Sequence, residues 1–190
     1  MKVAIFDDPK KVGIDELQND LLKLPTWRCK QALAYHKLID QVQCVKAFVL
    51  LQQCLAEDYN IYDIPTFKYG IYGKPCIPQV HFNLSHCANG VLCVVDNKPV
   101  GCDIEIIPSK LDFDIINACF NSEEQERIKT AKVPSIEFTS LWTKKEALLK
   151  LKGIGLIDEL PNLLISPLAN NVKISTVVCP HKGYVYSIAQ

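Results

Sequence analysis

Asp103 and Glu105 stand two residues apart in Gly101-Cys102-Asp103-Ile104-Glu105-Ile106-Ile107. In a strand, successive side chains point to opposite faces. Val100, Cys102, Ile104 and Ile106 then share an apolar face, and the two acids share the other. Neighbours on one strand face lie about 6–7 Å apart. Carboxylates that close repel and raise each other's pKa unless a cation stands between them. The spacing is that of a hard-metal site with oxygen ligands, in need of at least one more ligand from elsewhere. It is also the pattern of a half-exposed strand with two solvated acids.

A second stretch adds to the first. Trp142-Thr143-Lys144-Lys145-Glu146-Ala147-Leu148-Leu149-Lys150 lies in a run, 136–152, with strong helical character. At 100° per residue, Phe138, Leu141, Trp142, Leu148 and Leu149 form one apolar arc. Lys145 falls in the middle of that arc, Glu146 at its edge, and Lys150 beside Glu146 one turn later. A surface i,i+4 ion pair would account for Glu146 and Lys150. It does not account for Lys145, because a lysine aimed at a core is costly unless it is paired or its head reaches water. An acid and a base flanking an apolar face point to a site buried against it.

The elements that must position these residues are bounded by length and composition. A chain of 190 residues can bury one substantial core, or two small cores packed together. Lys+Arg and Asp+Glu are both 21, so any anion site must be local and no nucleic-acid partner is expected. No apolar run reaches the ~18–20 residues of a membrane span. The start turns acidic at Asp7-Asp8 without an apolar leader segment, so a cytoplasmic protein with no membrane partner is expected. Nine cysteines, scattered without paired metal-ligand spacing, read as free thiols, many of them buried.

Along the chain, 3–6 reads as a strand and 15–24 as a short helix stopped by Pro25. Residues 27–55 read as helix with a break near 36–40, and Arg28, Lys30 and Lys37 lie near its start. Residues 60–78 read as loop, with a short strand around 67–69. Strands follow at 80–84 and 91–95. Asp96-Asn97-Lys98-Pro99 reads as a turn that returns the chain into 100–107, which makes the acidic strand half of an antiparallel hairpin. Helices are expected at 115–119 and from Ser122, with Ser122 as N-cap and Gln125 at capping-box spacing. The strong helix ends at Gly153, and 163–165, 172–179 and 184–189 read as strands.

His81-Phe82-Asn83-Leu84-Ser85-His86, the Asp-x-Glu stretch and the Trp142–Lys150 stretch, in that order and at these separations, resemble the signatures of the 4′-phosphopantetheinyl transferases. The size and Gly73-Lys74-Pro75 resemble the surfactin-synthetase-activating type. The resemblance covers roughly residues 25–155. It implies an α+β fold of two similar subdomains, each a long helix on a small antiparallel sheet. Residues 1–98 would form the nucleotide side and 99–190 the metal and catalytic side, in a monomer.

The resemblance implies transfer of the phosphopantetheine arm of coenzyme A to a serine of an apo acyl or peptidyl carrier protein, with Mg²⁺ as cofactor. Asp103, Glu105 and Glu146 match metal ligands, and Glu146 also matches the residue proposed to take the serine proton. Lys150 matches a pyrophosphate contact, and Lys145 would face the same charge. Ser85 and His86 match residues at the 3′-phosphate end of coenzyme A, and Lys74 lies at the adenosine portion. Lys30 matches a basic residue of the 3′-phosphate pocket, with Gln43 lining it. Arg28 supplements Lys30, since Trp27 stands where a second lysine often lies. Glu124 fits a Phe-x-x-x-Glu pattern of unassigned role. A coenzyme-A-binding protein without transfer activity is the alternative, and it would not need Asp103, Glu105, Glu146 and Lys150 together.

Overall fold

The computed structural model describes residues 1–190. Its first half contains β1 (Lys2–Asp7), α1 (Ile14–Leu21), α2 (Thr26–Leu33), α3 (Leu38–Tyr59), β2 (Lys68–Tyr69), β3 (Pro75–Cys76), β4 (His81–Cys87) and β5 (Gly90–Asp96). Its second half contains β6 (Gly101–Ile106), α4 (Phe113–Cys119), α5 (Ser122–Thr130), α6 (Pro134–Lys152), β7 (Ile174–Cys179) and β8 (Tyr184–Ala189). No helix is long and apolar enough to cross a membrane. All nine cysteines are free thiols, and Cys44, Cys54, Cys93 and Cys102 are among the buried ones.

The fold is α+β, built as two units of a helix on an antiparallel sheet. In the first, α3 lies on the sheet β1-β5-β4. Phe48, Leu51 and Leu55 are fully buried on α3 and meet Val91, Cys93 and Val95 from one face of β5. Each such side chain contributes roughly 1.5–3 kcal/mol. α3 stops at Asn60, whose φ of 54° is a left-handed conformation that asparagine tolerates. Lys46 of α3 pins α1 to this core through Glu16 at 2.5 Å and Asp20 at 2.6 Å, beneath the ring of Phe6.

In the second unit α6 lies on the sheet β6-β8-β7. Pro134 opens α6 at a position where no intrahelical N–H is needed, and Gly153 ends it at φ 67°. β6 passes so close beneath α6 that a Cβ on Gly101 would strike the Ala147 carbonyl and the Leu151 backbone. That approach requires glycine. Thr143 of α6 and Ser187 of β8 share a buried hydroxyl hydrogen bond of 2.8 Å.

The units join through a smaller core. Leu92 and Val94, on the β5 face away from α3, pack with Val100, Cys102 and Ile104. This packing overturns the hairpin expected between β5 and β6. β6 pairs instead with β8, Asp103 opposite Ser187, while β5 pairs with β1 and β4. The other edge of β6 meets β4 through side chains: the Cys102 amide donates to Asn83 Oδ1 at 2.7 Å, and the Ile104 amide reaches Ser85 Oγ at 3.4 Å. Two further expectations are corrected. Residues 163–165 belong to a 3-10 helix, Leu160–Ile165, and are not a strand. The capping box of α5 is Asn121 with Glu124, one residue before the expected Ser122 and Gln125.

Candidate active site

The Asp103–Glu105 face of β6 looks toward α6, so acids on the strand meet polar groups on the helix. Asp103, Glu105, Glu146, Lys150 and Trp142 line one cleft of about 330 Å³, and β4 completes it with Ser85 and His86. Asp103 is almost fully buried. Its Oδ1 accepts from Ser85 Oγ at 2.8 Å and from Lys150 Nζ at 2.5 Å, and Lys150 also donates to Ser85 Oγ at 3.0 Å. Asp103 Oδ2 is buried with no partner.

The charges of the cleft are crowded. Burial, reinforced by the charge of Asp103, pushes the Glu105 carboxyl up to about 7. Burial and Asp103 together also hold Glu146 above its usual range, although Lys150 pulls the other way. Burial works against the Lys150 ammonium, but Asp103 outweighs it and the lysine titrates above its ordinary value. Acids forced together in this way favour a bound cation. No three acid, histidine or cysteine side chains stand in metal-ligating geometry as they are placed. The donor set is nevertheless all oxygen, with one buried oxygen free on Asp103, which fits a hard divalent ion that keeps water among its ligands.

A second cavity of about 400 Å³ opens beside the first, and Leu84 and His86 line both. Its wall includes Arg28 and Gln31 of α2, Tyr35 just beyond it, Asp40 and Cys44 of α3, and Tyr69 of β2. Arg28 is buried and donates to Gln31 Oε1 at 2.7 Å and to the Cys44 carbonyl at 2.8 Å. Its guanidinium lies over the rings of Phe48 and Phe67 at 5.4 and 5.8 Å. His86 stands at the junction of the two cavities with part of its residue surface open, and burial of its ring, then the charge of Lys150, lowers its pKa.

The remaining candidates are placed elsewhere. Lys30 is exposed and outside both linings. Gln43 is buried and donates to the Cys87 carbonyl at 2.8 Å, tying α3 to the end of β4. Lys74 donates to the Val100 carbonyl at 2.8 Å, bridging the first half to the start of β6. Lys145 departs most from the sequence reading. It is completely buried under α6, 2.8 Å from Glu124 Oε2, and donates to the carbonyls of Leu160 and Pro161 at 2.8 and 2.9 Å. With its donors used there, it does not face the cleft. Glu124 thereby gains a role, capping α5 and holding Lys145. Sequence reasoning missed Gln31, Tyr35 and Asp40. The one local sign was the helical spacing that places Asp40 and Cys44 on one side of α3.

Residues 99–189, just under half of the chain, match the family model described as the 4′-phosphopantetheinyl transferase superfamily. The chain is 33% identical over 139 residues to the 4′-phosphopantetheinyl transferase Sfp of Bacillus subtilis, covering 70% of this chain and 61% of that protein. It is 36% identical over 118 residues to the 4′-phosphopantetheinyl transferase gsp of Aneurinibacillus migulanus, covering 56% and 48%. The 4′-phosphopantetheinyl transferase AcpT of Escherichia coli is 34% identical over 102 residues, covering 50% and 52%. The chain thus spans about half to three fifths of the length of these relatives.

Proposed function

We propose that this chain, a relative of the 4′-phosphopantetheinyl transferases, moves the phosphopantetheine arm of coenzyme A onto a serine of an apo acyl or peptidyl carrier protein. The by-product is 3′,5′-ADP. The observation that carries the reading is the meeting of Asp103, Glu105, Glu146 and Lys150 in one cleft with Ser85 and His86. Residues 1–98 would serve as the nucleotide side and 99–190 as the metal and catalytic side, in a cytoplasmic monomer.

The serine oxygen attacks the β-phosphorus of the pyrophosphate, the phosphoanhydride bond to the nucleotide breaks, and 3′,5′-ADP leaves with the bridging oxygen on its 5′-phosphate. Little covalent work falls to the protein, so positioning and neutralisation dominate. Lys150, cationic at neutral pH, places its ammonium where pyrophosphate oxygens would lie along the cleft. Ser85 holds the lysine and Asp103 in register. Glu146, at the mouth on α6, accepts the serine proton. Asp103, Glu105 and Glu146 would hold Mg²⁺, which supplies neutralisation of the phosphate oxygens. The nucleotide end would run past His86 into the second cavity toward Arg28. Gln43 and Lys74 act by fixing the neighbouring backbone, and Lys30 stays outside both cavities.

The test is direct. Purified protein, coenzyme A and Mg²⁺ are mixed with apo acyl and apo peptidyl carrier proteins, and intact carrier mass is read. Gain of one phosphopantetheine on the carrier serine is expected. Coenzyme A binding without any mass gain would leave the chain a binding protein only.

A further inference from the structure

The second cavity carries almost no net charge. Among its lining side chains Arg28 is positive and Asp40 negative. Burial, then the charge of Lys150, lowers the pKa of His86, which works against a positive charge there. The guanidinium of Arg28 is already engaged by Gln31 and the Cys44 carbonyl. Its Nε is buried and unpartnered. Lys30 and Lys37 are exposed and outside the lining. Gln43, adjacent on α3, is neutral, and its amide is spent on the Cys87 carbonyl.

A phosphomonoester carries about −1.5 to −2 charges at neutral pH. A pocket that selects one strongly presents cationic donors to it, each such hydrogen bond being worth roughly ten- to a hundredfold in affinity. This lining offers one cation, already bonded, and sets a carboxylate in the same wall. Adenine and ribose, by contrast, find Tyr35, Tyr69, Leu84 and the Gln31 amide there.

Resting on the function proposed above, we infer that this cavity takes the nucleotide of coenzyme A with little discrimination for its 3′-phosphate. Dephospho-coenzyme A then serves as an alternative donor of the arm, and Asp40 is the residue that holds the preference down. Transfer from it forms the same carrier phosphodiester and releases 5′-AMP in place of 3′,5′-ADP, so the balance of the reaction is unchanged.

Titration calorimetry of the whole protein with Mg²⁺ and each nucleotide tests the inference. The two dissociation constants are expected to agree within about threefold, below the smallest effect of a dedicated phosphate contact. Asp40 is half-exposed, so Asp40→Asn should fold. It should shift the ratio toward coenzyme A by about two- to fivefold, the worth of one partly screened charge. The far-ultraviolet circular dichroism and urea midpoint of Asp40→Asn report separately that the variant is folded. A wild-type preference for coenzyme A above about threefold overturns the inference and leaves the transferase reading standing. An unchanged ratio in Asp40→Asn removes the role of Asp40. Failure of both nucleotides to bind overturns the transferase reading itself.

Discussion

Lys145→Met separates two readings of one residue. The sequence reading has this lysine facing the same charge as Lys150, whereas the structure seals it under α6. Its side chain is completely buried, with Glu124 at 2.8 Å, two carbonyls within 2.9 Å, and the Phe120 ring at 5.1 Å. Methionine fills most of the same volume but carries no charge. Glu124, almost fully buried, would be left as an uncompensated carboxylate. Removing one partner of a buried pair costs about 3–5 kcal/mol, a large share of the 5–15 kcal/mol that holds a typical domain. Glu124→Gln should cost less, because the amide still accepts from the Asn121 amide and Lys145 keeps its two carbonyls. The assay is urea unfolding, read as the midpoint with an unchanged slope. Coenzyme A binding is measured below the transition. Lys145→Met should unfold far earlier yet bind coenzyme A normally while folded. A variant with wild-type midpoint and abolished transfer would refute the reasoning and return Lys145 to the substrate.

Three further outcomes are expected. Chelation of divalent ions should stop transfer and added Mg²⁺ should restore it; full rate in chelator would remove the metal from the cleft of Asp103, Glu105 and Glu146. Glu146→Gln should lower turnover at least ~10²-fold with coenzyme A still bound, and rescue by excess Mg²⁺ would reduce Glu146 to a ligand. Asp20 supplies a pH dependence: burial alone would raise its carboxyl, but hydrogen bonds from Lys46 and Lys23 hold it below the usual range. A carboxyl with a depressed folded pKa stabilises the protein above its unfolded value, near 3.9. That stability is lost as pH falls through the folded value. Asp20→Asn should therefore flatten the acid limb of the stability profile below about pH 4, and an unaltered limb would contradict the pairing.

The parts of the site that could be read in the sequence rest on local periodicity. The period of two in Val100–Ile106 put Asp103 and Glu105 on one face, and the helical wheel put Glu146 and Lys150 one turn apart. Both placements follow from backbone geometry alone. The wheel was also right that Lys145 points into a core. It could not say what lay there, because Glu124, Leu160 and Pro161 come from other segments. The pairing of β6 was illegible for a related reason. The chain does bend at Asn97–Lys98, but stacking of Leu92 and Val94 on Cys102 and Ile104 decides that the two strands face each other and share no ladder. Ser122 and Asn121 are comparable caps by residue type, and a tertiary contact favours Asn121. Its box partner Glu124 also holds Lys145.

β6 is an edge strand of its sheet, and its outer amides are met by side chains of β4 instead of by another strand. An uncovered edge offers a template on which a second chain can add by main-chain pairing, the usual route into ordered aggregates. Asn83 and Ser85 close that template at Cys102 and Ile104. Ser85 therefore has two tasks in one hydroxyl: it bonds Asp103 and Lys150, and it covers the Ile104 amide on the open edge of the strand that carries the acids. A change at that one oxygen would therefore disturb the Asp103–Lys150 pair and the strand edge together.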